Sequence, residues 1–232
     1  MIAGDEFRVE ARPAARHVGG MDAPALPLPG FRFLPGHFDR TAQSDLMAAV
    51  VEAAATAPFW RPSMPRTGQP LSVKMTNFGP LGWVTDQARG YRYEPAHPET
   101  GAPWPPLPAP LLDLWNAVSG YPAPPEACLV NWYAPGSRMG LHVDSDEAAT
   151  DAAVVSVSLG DKARFRIGGT TRRGKTVSIV LSSGDVVVLG GASRRSYHGV
   201  DRIYPGTSTL LPEDVFPGGG RINLTMRRVT PA

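Results

Sequence analysis

From residue 128 to residue 229 the chain is cut into short runs, and that rhythm limits the fold before any side chain is considered for chemistry. Residues 128–133, 154–159, 162–167, 176–181, 186–189, 196–200 and 221–229 are β-branched or alternate apolar with polar, and glycine-containing turns bound them. Such runs are too short for the roughly 10–12 residues that a buried helix needs, so they read as strands. Strands at this spacing form a sandwich or a barrel. The 25 glycines and 25 prolines supply the turns such an architecture requires.

The first half is mixed. Leu46, Met47, Val50, Val51 and Ala54 recur at helical spacing, so residues 41–57 read as an amphipathic helix, capped by Asp39 or Thr41 and ended by Pro58. Residues 72–78 read as a strand with Val73 and Met75 on one face. Residues 81–85 and 91–93 read as a hairpin around residues 86–90. A proline-rich loop fills residues 94–110. Leu111, Leu112, Leu114, Trp115 and Val118 then mark a second helix with Gly120 at its C-terminal end. Residues 1–30, rich in Arg, Ala, Gly and Pro, are expected to lie loosely on the surface, with Phe31 and Phe33 beginning the fold. No low-complexity linker divides the rest. The expectation is one mainly β domain over residues 31–232, with both helices packed on the outside of the strand core.

With 42% hydrophobic and 19% charged residues the chain can bury a core and is not of the disordered type. Its net charge of +2 neither demands nor excludes nucleic acid. Arg172-Arg173-Gly174-Lys175, Arg194-Arg195 and Arg227-Arg228 offer local basic surface, each expected singly to be a solvated turn. Cys128 is the only cysteine, so no intrachain disulfide forms; it falls in an apolar strand as a buried, inert thiol. No run approaches the roughly 20 apolar residues of a membrane span, and no charged start precedes an apolar run. A soluble, cytoplasmic protein without a membrane or obligate protein partner, and monomeric, is the expectation.

Chemistry enters through histidine. A His and an acid two residues apart point the same way on extended backbone and can share one ion. The pattern alone is weak, since five His and 21 acids predict roughly half of one such pair by chance. The chain holds three. His37-Phe38-Asp39 precedes a helix, where capping is the simpler role for Asp39, and His97-Pro98-Glu99 sits in the proline-rich stretch, where a surface loop is expected. His142-Val143-Asp144 differs because His198 follows the hairpin-like run of residues 177–189. Two His and one carboxylate with open positions is the ligand pattern of non-haem iron(II) oxygenases.

The last run adds a second constellation. Arg221, Asn223, Thr225 and Arg227 share one face of a strand, and Ile222, Leu224 and Met226 the other. By itself that reads as a solvent-facing edge. Residues 129–133 also send Asn131 and Tyr133 to a single face, however, and two such polar faces can line one cavity.

Taken in order, Asn131-x-Tyr133, His142-x-Asp144, His198 and Arg221-x-Asn223-x-x-x-Arg227 resemble the AlkB family of iron(II)- and 2-oxoglutarate-dependent dioxygenases, in particular its bacterial repair enzymes. The likeness extends through residues 75–83 and 120–122 and covers roughly residues 60–230. It implies a double-stranded β-helix, or jelly roll, with a substrate-recognition part at about residues 60–125 and the core at about 126–230. It further implies iron(II) on His142, Asp144 and His198, with 2-oxoglutarate and O2 on the remaining positions. Arg221 would take the distal carboxylate of 2-oxoglutarate, because a guanidinium offers two parallel charge-assisted hydrogen bonds where Lys cannot. Asn131, Tyr133, Asn223 and Arg227 would bond to or close around that cosubstrate.

The implied reaction is hydroxylation of a methyl group on 1-methyladenine or 3-methylcytosine in single- or double-stranded DNA, with RNA as a further substrate, releasing formaldehyde, succinate and CO2. Such a base must leave the stack first. Trp83 and Tyr91 match the family's substrate-side aromatics, Asp146 would favour a cationic base, and Arg172 would contact the substrate.

Four features depart from the family's pattern. Ser145 stands where bacterial relatives carry Lys, Leu189 replaces an aromatic, residues 204–220 form a longer loop, and the stretch from Trp83 to Tyr91 is one residue longer. They bear on substrate choice and DNA grip, not on reaction class. Two alternatives stay open: the same iron centre acting on a protein or small molecule, and a non-catalytic jelly-roll binding module.

Overall fold

The computed structural model describes residues 28–232; the expected loose segment at residues 1–30 lies almost wholly outside them. In chain order the elements are β1 (Phe31–Leu34), α1 (Arg40–Thr56), β2 (Lys74–Phe78), β3 (Gly82–Asp86), β4 (Gly90–Glu94), α2 (Ala109–Val118), β5 (Ala127–Tyr133), β6 (Met139–His142), β7 (Val154–Gly160), β8 (Lys162–Gly168), β9 (Thr176–Leu181), β10 (Val186–Leu189), β11 (His198–Tyr204) and β12 (Arg221–Arg227). Six strands form one sheet in the order β1-β10-β7-β12-β5-β2, four form a second in the order β6-β11-β8-β9, and β3 pairs with β4. All pairings are antiparallel. Two antiparallel sheets with strands crossing between them in this order make a jelly roll.

The termini of the helices follow from local chemistry. Asp39 caps α1, its Oδ1 accepting from the Ala42 N–H at 2.9 Å. At the other end Pro58 disfavours helical backbone at Ala57, which turns out at φ −122° and ψ 86°. After α2, Gly120 adopts φ +67°, a left-handed conformation that residues with a Cβ avoid.

Two apolar layers sit on either side of the six-stranded sheet. Leu46 and Val50 of α1, with Leu111 and Trp115 of α2, pack on its outer face against Trp132, Ile222, Leu224 and Met226. Each fully buried aliphatic there contributes about 1.5–3 kcal/mol relative to exposure. Between the sheets lie Met75, Leu129, Val187 and Leu189 from one side and Phe165, Ile167, Leu181 and Val200 from the other.

Several expectations change here, but not that of a shared cavity: β12 lies between β5 and β7 with every residue buried, not on the edge that its alternation by itself suggests. Its polar face therefore points between the sheets, where charges need partners. His97 is not on a surface loop but 1% exposed; its Nδ1 accepts from the N–H groups of Glu99 and Thr100 and its Nε2 donates to Pro58 O at 2.8 Å. Of the basic runs, Arg172, Arg173 and Lys175 are exposed as expected, but Arg194 and Arg227 are buried, leaving Arg195 and Arg228 of those two pairs to reach solvent. β6 also joins the strand set, and β11 begins at His198 rather than two residues earlier.

Candidate active site

Register brings the two histidines together. β6 pairs with β11 so that His142 lies directly opposite His198, and the ring centroids are 4.5 Å apart. Asp144 follows β6 immediately and turns its carboxylate between them, with Oδ1 3.6 Å from His142 Nε2 and Oδ2 3.6 Å from His198 Nε2. The ligand atoms of all three lie within 4.8 Å of one another. His142 Nδ1 faces Gly140 O at 2.9 Å and His198 Nδ1 faces Ser196 O at 3.0 Å. A carbonyl only accepts, so each Nδ1 carries the hydrogen and each Nε2 presents a lone pair to the common centre. Burial pushes the His198 pKa down to about 4, which keeps that lone pair available.

Among the described residues buried Asp144 Oδ2 has no hydrogen-bond partner. An unsatisfied carboxylate oxygen facing two imidazole lone pairs fits a divalent cation. The His142 side chain is 40% exposed against 4% for Asp144 and 10% for His198, so the centre opens on the His142 side.

The inner face of the large sheet supplies the rest. Tyr133 lies directly opposite Arg221 and Asn131 directly opposite Asn223 across β5 and β12. Gly220 leads into β12 at φ +108°, and a Cβ there would sit 2.3 Å from Tyr133 O, so only glycine allows the strands to close at this end. Arg221 is 1% exposed, packs over the Tyr133 ring with the guanidinium carbon 5.4 Å from its centroid, and donates from Nη2 to Ser158 Oγ at 2.9 Å. Its Nε and Nη1 have no partner among the described residues. Two unmatched donors on one buried guanidinium fit an incoming carboxylate.

Asn223 and Arg227 are already engaged, save for Arg227 Nε, which has no partner among the described residues. Asn223 Nδ2 donates to Ser156 Oγ and Val157 O, and its Oδ1 accepts from Thr225 Oγ1. Arg227 donates from Nη2 to Asp144 Oδ1 at 2.6 Å and from Nη1 to Glu147 Oε1 at 2.8 Å. Glu147 and Arg194 pair at 3.0 Å, and Arg194 also donates to the Asp144 and Ala152 carbonyls. Tyr93 donates to Glu147. Burial alone would raise the Asp144 carboxyl, but Arg227 and its neighbours hold it well below the usual range. The sequence reading did not place Tyr93, Glu147 and Arg194 in the site: Glu147 directly follows Asp146, Tyr93 shares a strand with Tyr91, and Arg194 belongs to a pair expected to be a solvated turn.

These groups surround a cavity of about 560 Å³ lined by both constellations. At its mouth Trp83 and Tyr91 stack with centroids 5.5 Å apart at 23°, and Trp83 Nε1 donates to Asp146 Oδ2 at 2.8 Å. Ser145, Arg172 and Leu189 also line the cavity. Every site residue expected from the sequence therefore lies on one cavity, whereas His37 and His97 lie away from it.

Residues 30–227 match the 2OG-Fe(II) oxygenase superfamily. Over 221 residues the chain is 52% identical to the "Alpha-ketoglutarate-dependent dioxygenase AlkB homolog" of Caulobacter vibrioides, covering 94% of this chain and 96% of that protein. The chain belongs to the AlkB family of 2OG-Fe(II) oxygenases. To the "Alpha-ketoglutarate-dependent dioxygenase AlkB" of Escherichia coli K12 it is 40% identical over 195 residues, covering 82% of this chain and 87% of that one. The solved structure of OsALKBH1 superposes with a TM-score of 0.69 at 31% identity, covering 86% of this chain and 98% of that chain. This AlkB-family member is thus a 2-oxoglutarate-dependent dioxygenase that uses iron(II), 2-oxoglutarate and O2. Its non-catalytic reading falls away.

Proposed function

We propose that this AlkB-family enzyme removes methyl groups oxidatively from ring nitrogens of nucleic-acid bases, 1-methyladenine and 3-methylcytosine first among them, in DNA and in RNA. The observation that carries the reading is the stacked Trp83–Tyr91 pair, with the Asp146 carboxylate bonded to Trp83, at the mouth of a cavity that ends on His142, Asp144 and His198. A flat aromatic surface beside a carboxylate suits a flat, cationic base, and stacking of a base on an aromatic is worth about 1–3 kcal/mol. That offsets the few kcal/mol needed to unstack a lesion already unable to pair.

His142, Asp144 and His198 hold the iron, and Arg221 takes the distal carboxylate of 2-oxoglutarate through Nε and Nη1. Tyr133 packs under that guanidinium, and Asn131 faces the same space. Asn223 acts by locking β7 to β12, and Arg227 by fixing Asp144. When bound, iron(II) with 2-oxoglutarate and O2 supplies an oxidant for a C–H bond while the cosubstrate becomes succinate and CO2. Trp83 and Tyr91 then need only present the N-methyl group over the open side at His142 and exclude water from it. The N-hydroxymethyl product expels formaldehyde and leaves the unmodified base. Residues 60–125 form the recognition part and residues 126–230 the oxidising core of one domain, active as a monomer in the cytoplasm.

The test is an oligonucleotide carrying one 3-methylcytosine, incubated with enzyme, iron(II), 2-oxoglutarate and air, and weighed by mass spectrometry. Loss of the methyl group that requires both iron and 2-oxoglutarate is expected. Succinate without methyl loss would move the substrate to a protein or small molecule.

A further inference from the structure

The outward face of the four-stranded sheet carries a charge arrangement that the fold does not explain. Along β8, Ala163, Phe165 and Ile167 point inward and are buried, so Lys162, Arg164 and Arg166 share the outer face at every second residue. Arg202 of β11 lies directly opposite Arg164, and Tyr204 directly opposite Lys162. Among the described residues only Arg166 of these four cations has an acidic partner, Asp201 at 2.9 Å. Lys162, Arg164 and Arg202 are exposed, and the Arg202 guanidinium carbon sits 5.3 Å from the Tyr204 ring centroid.

Like charges directly opposite on a sheet destabilise it, by up to about 1 kcal/mol for a pair. A neutral or acidic residue at position 202 would remove the conflict without touching the core. The row also has a direction. β8 runs on into the turn that carries Arg172, Arg173 and Lys175, and Arg172 lines the cavity. From Arg166 the cations continue away from that turn to Lys162, a distance of roughly 13 Å along an extended strand.

We propose that this face is a phosphate-binding track that holds the single-stranded nucleic acid flanking the base in the cavity. The proposal rests on the nucleic-acid substrate argued above. Its chemistry is that of exposed Lys and Arg against a polyanion: binding without regard to sequence, driven by release of counterions and weakened by salt.

The test compares the full-length enzyme with a K162Q/R164Q/R202Q variant, whose substitutions lie on the exposed face and spare the core. Fluorescence anisotropy with a 25-nucleotide strand carrying a central 3-methylcytosine is followed against salt, beside a five-nucleotide strand with the same lesion. About two flanking nucleotides on each side, at roughly 3.4 Å per nucleotide, do not reach along the track. Three lost phosphate contacts at about 0.7 each lower the salt slope by roughly 2, so between 50 and 200 mM salt the wild type loses about twentyfold more affinity for the long strand than the variant does. The short strand should bind both proteins alike, and R164K/R202K should keep the wild-type slope. Equal slopes for wild type and variant on the long strand, in an enzyme that still demethylates it, would overturn the track alone. Equal loss on the short strand would do so as well, by showing that the cations act elsewhere. A wild type that neither binds nor demethylates either strand would overturn the track together with the substrate reading.

Discussion

Arg227 donates from Nη2 to Asp144 Oδ1 at 2.6 Å, which leaves Oδ2 as the carboxylate oxygen aimed at His198 Nε2. One oxygen is thus held by the protein and the other is free for the metal. The same planar guanidinium reaches Glu147 through Nη1, a fork that an ammonium does not reproduce. Arg227→Lys should therefore weaken metal binding by about 10–100-fold, the usual effect of losing a group that orients a ligand. Anaerobic calorimetric titration with manganese(II) measures it, and an unchanged affinity would remove Arg227 from that role.

Glu147 carries the other half of this network. Burial raises its carboxyl pKa, but Arg227, the Tyr93 hydroxyl and Arg194 outweigh that and leave it below the ordinary value. A carboxylate with a depressed folded pKa contributes stability that is present above its unfolded pKa and lost as pH falls through the folded one. The wild type should hence lose urea resistance below about pH 4.5, the region where an unperturbed Glu titrates. Glu147→Gln should cost about 3–5 kcal/mol at pH 7, since it leaves two buried Arg short of a counter-charge. Its stability should then fall less steeply in acid. Parallel acid profiles for the two proteins would refute the assignment.

The periodicities made a sandwich or barrel legible, and the family resemblance narrowed it to a jelly roll; alternation on β5 and β12 reports which face meets the helices even when the other face is polar. Alternation does not distinguish a face turned to solvent from one turned to a polar cavity, so β12 by itself resembled an edge, and it was the matching polar face of Asn131 and Tyr133 on β5 that pointed to a cavity. Glu147 and Arg194 were hidden for the same reason. Each stands in a short hydrophilic run, and only the close approach of β12 to the segment after β6 removes them from water. His97 was misplaced by its proline neighbours; two backbone N–H groups on Nδ1 and one carbonyl on Nε2 stabilise it in the interior despite the loop around it. The metal set was legible because a second histidine, far along the chain, accompanied the His-x-Asp pair.

Arg221 gives a sharper test of the cosubstrate end. Its unpartnered Nε and Nη1 are buried, and a hydrogen bond to a charged group is worth about 1.5–3 kcal/mol. Arg221→Lys keeps the charge and removes the parallel pair of donors. The KM for 2-oxoglutarate should rise roughly 10–100-fold. Steady-state succinate formation at varied 2-oxoglutarate measures this, and an unaltered KM would place the carboxylate elsewhere.

Trp83 separates stacking from charge at the mouth of the cavity. Its ring lies against Tyr91 and its Nε1–H is given to Asp146, so the indole holds the carboxylate in place and, in the proposed function, offers a face to the base. Trp83→Ala removes both and should raise KM for a methylated oligonucleotide by about 1–3 kcal/mol, or roughly 5- to 150-fold. Trp83→Phe keeps a face but frees Asp146, so it should recover most of that loss for an uncharged methylated base and less for 3-methylcytosine, whose ring is cationic. Equal recovery for both bases would show that Asp146 does not discriminate by charge, and no loss in Trp83→Ala would place the base on a different wall of the cavity.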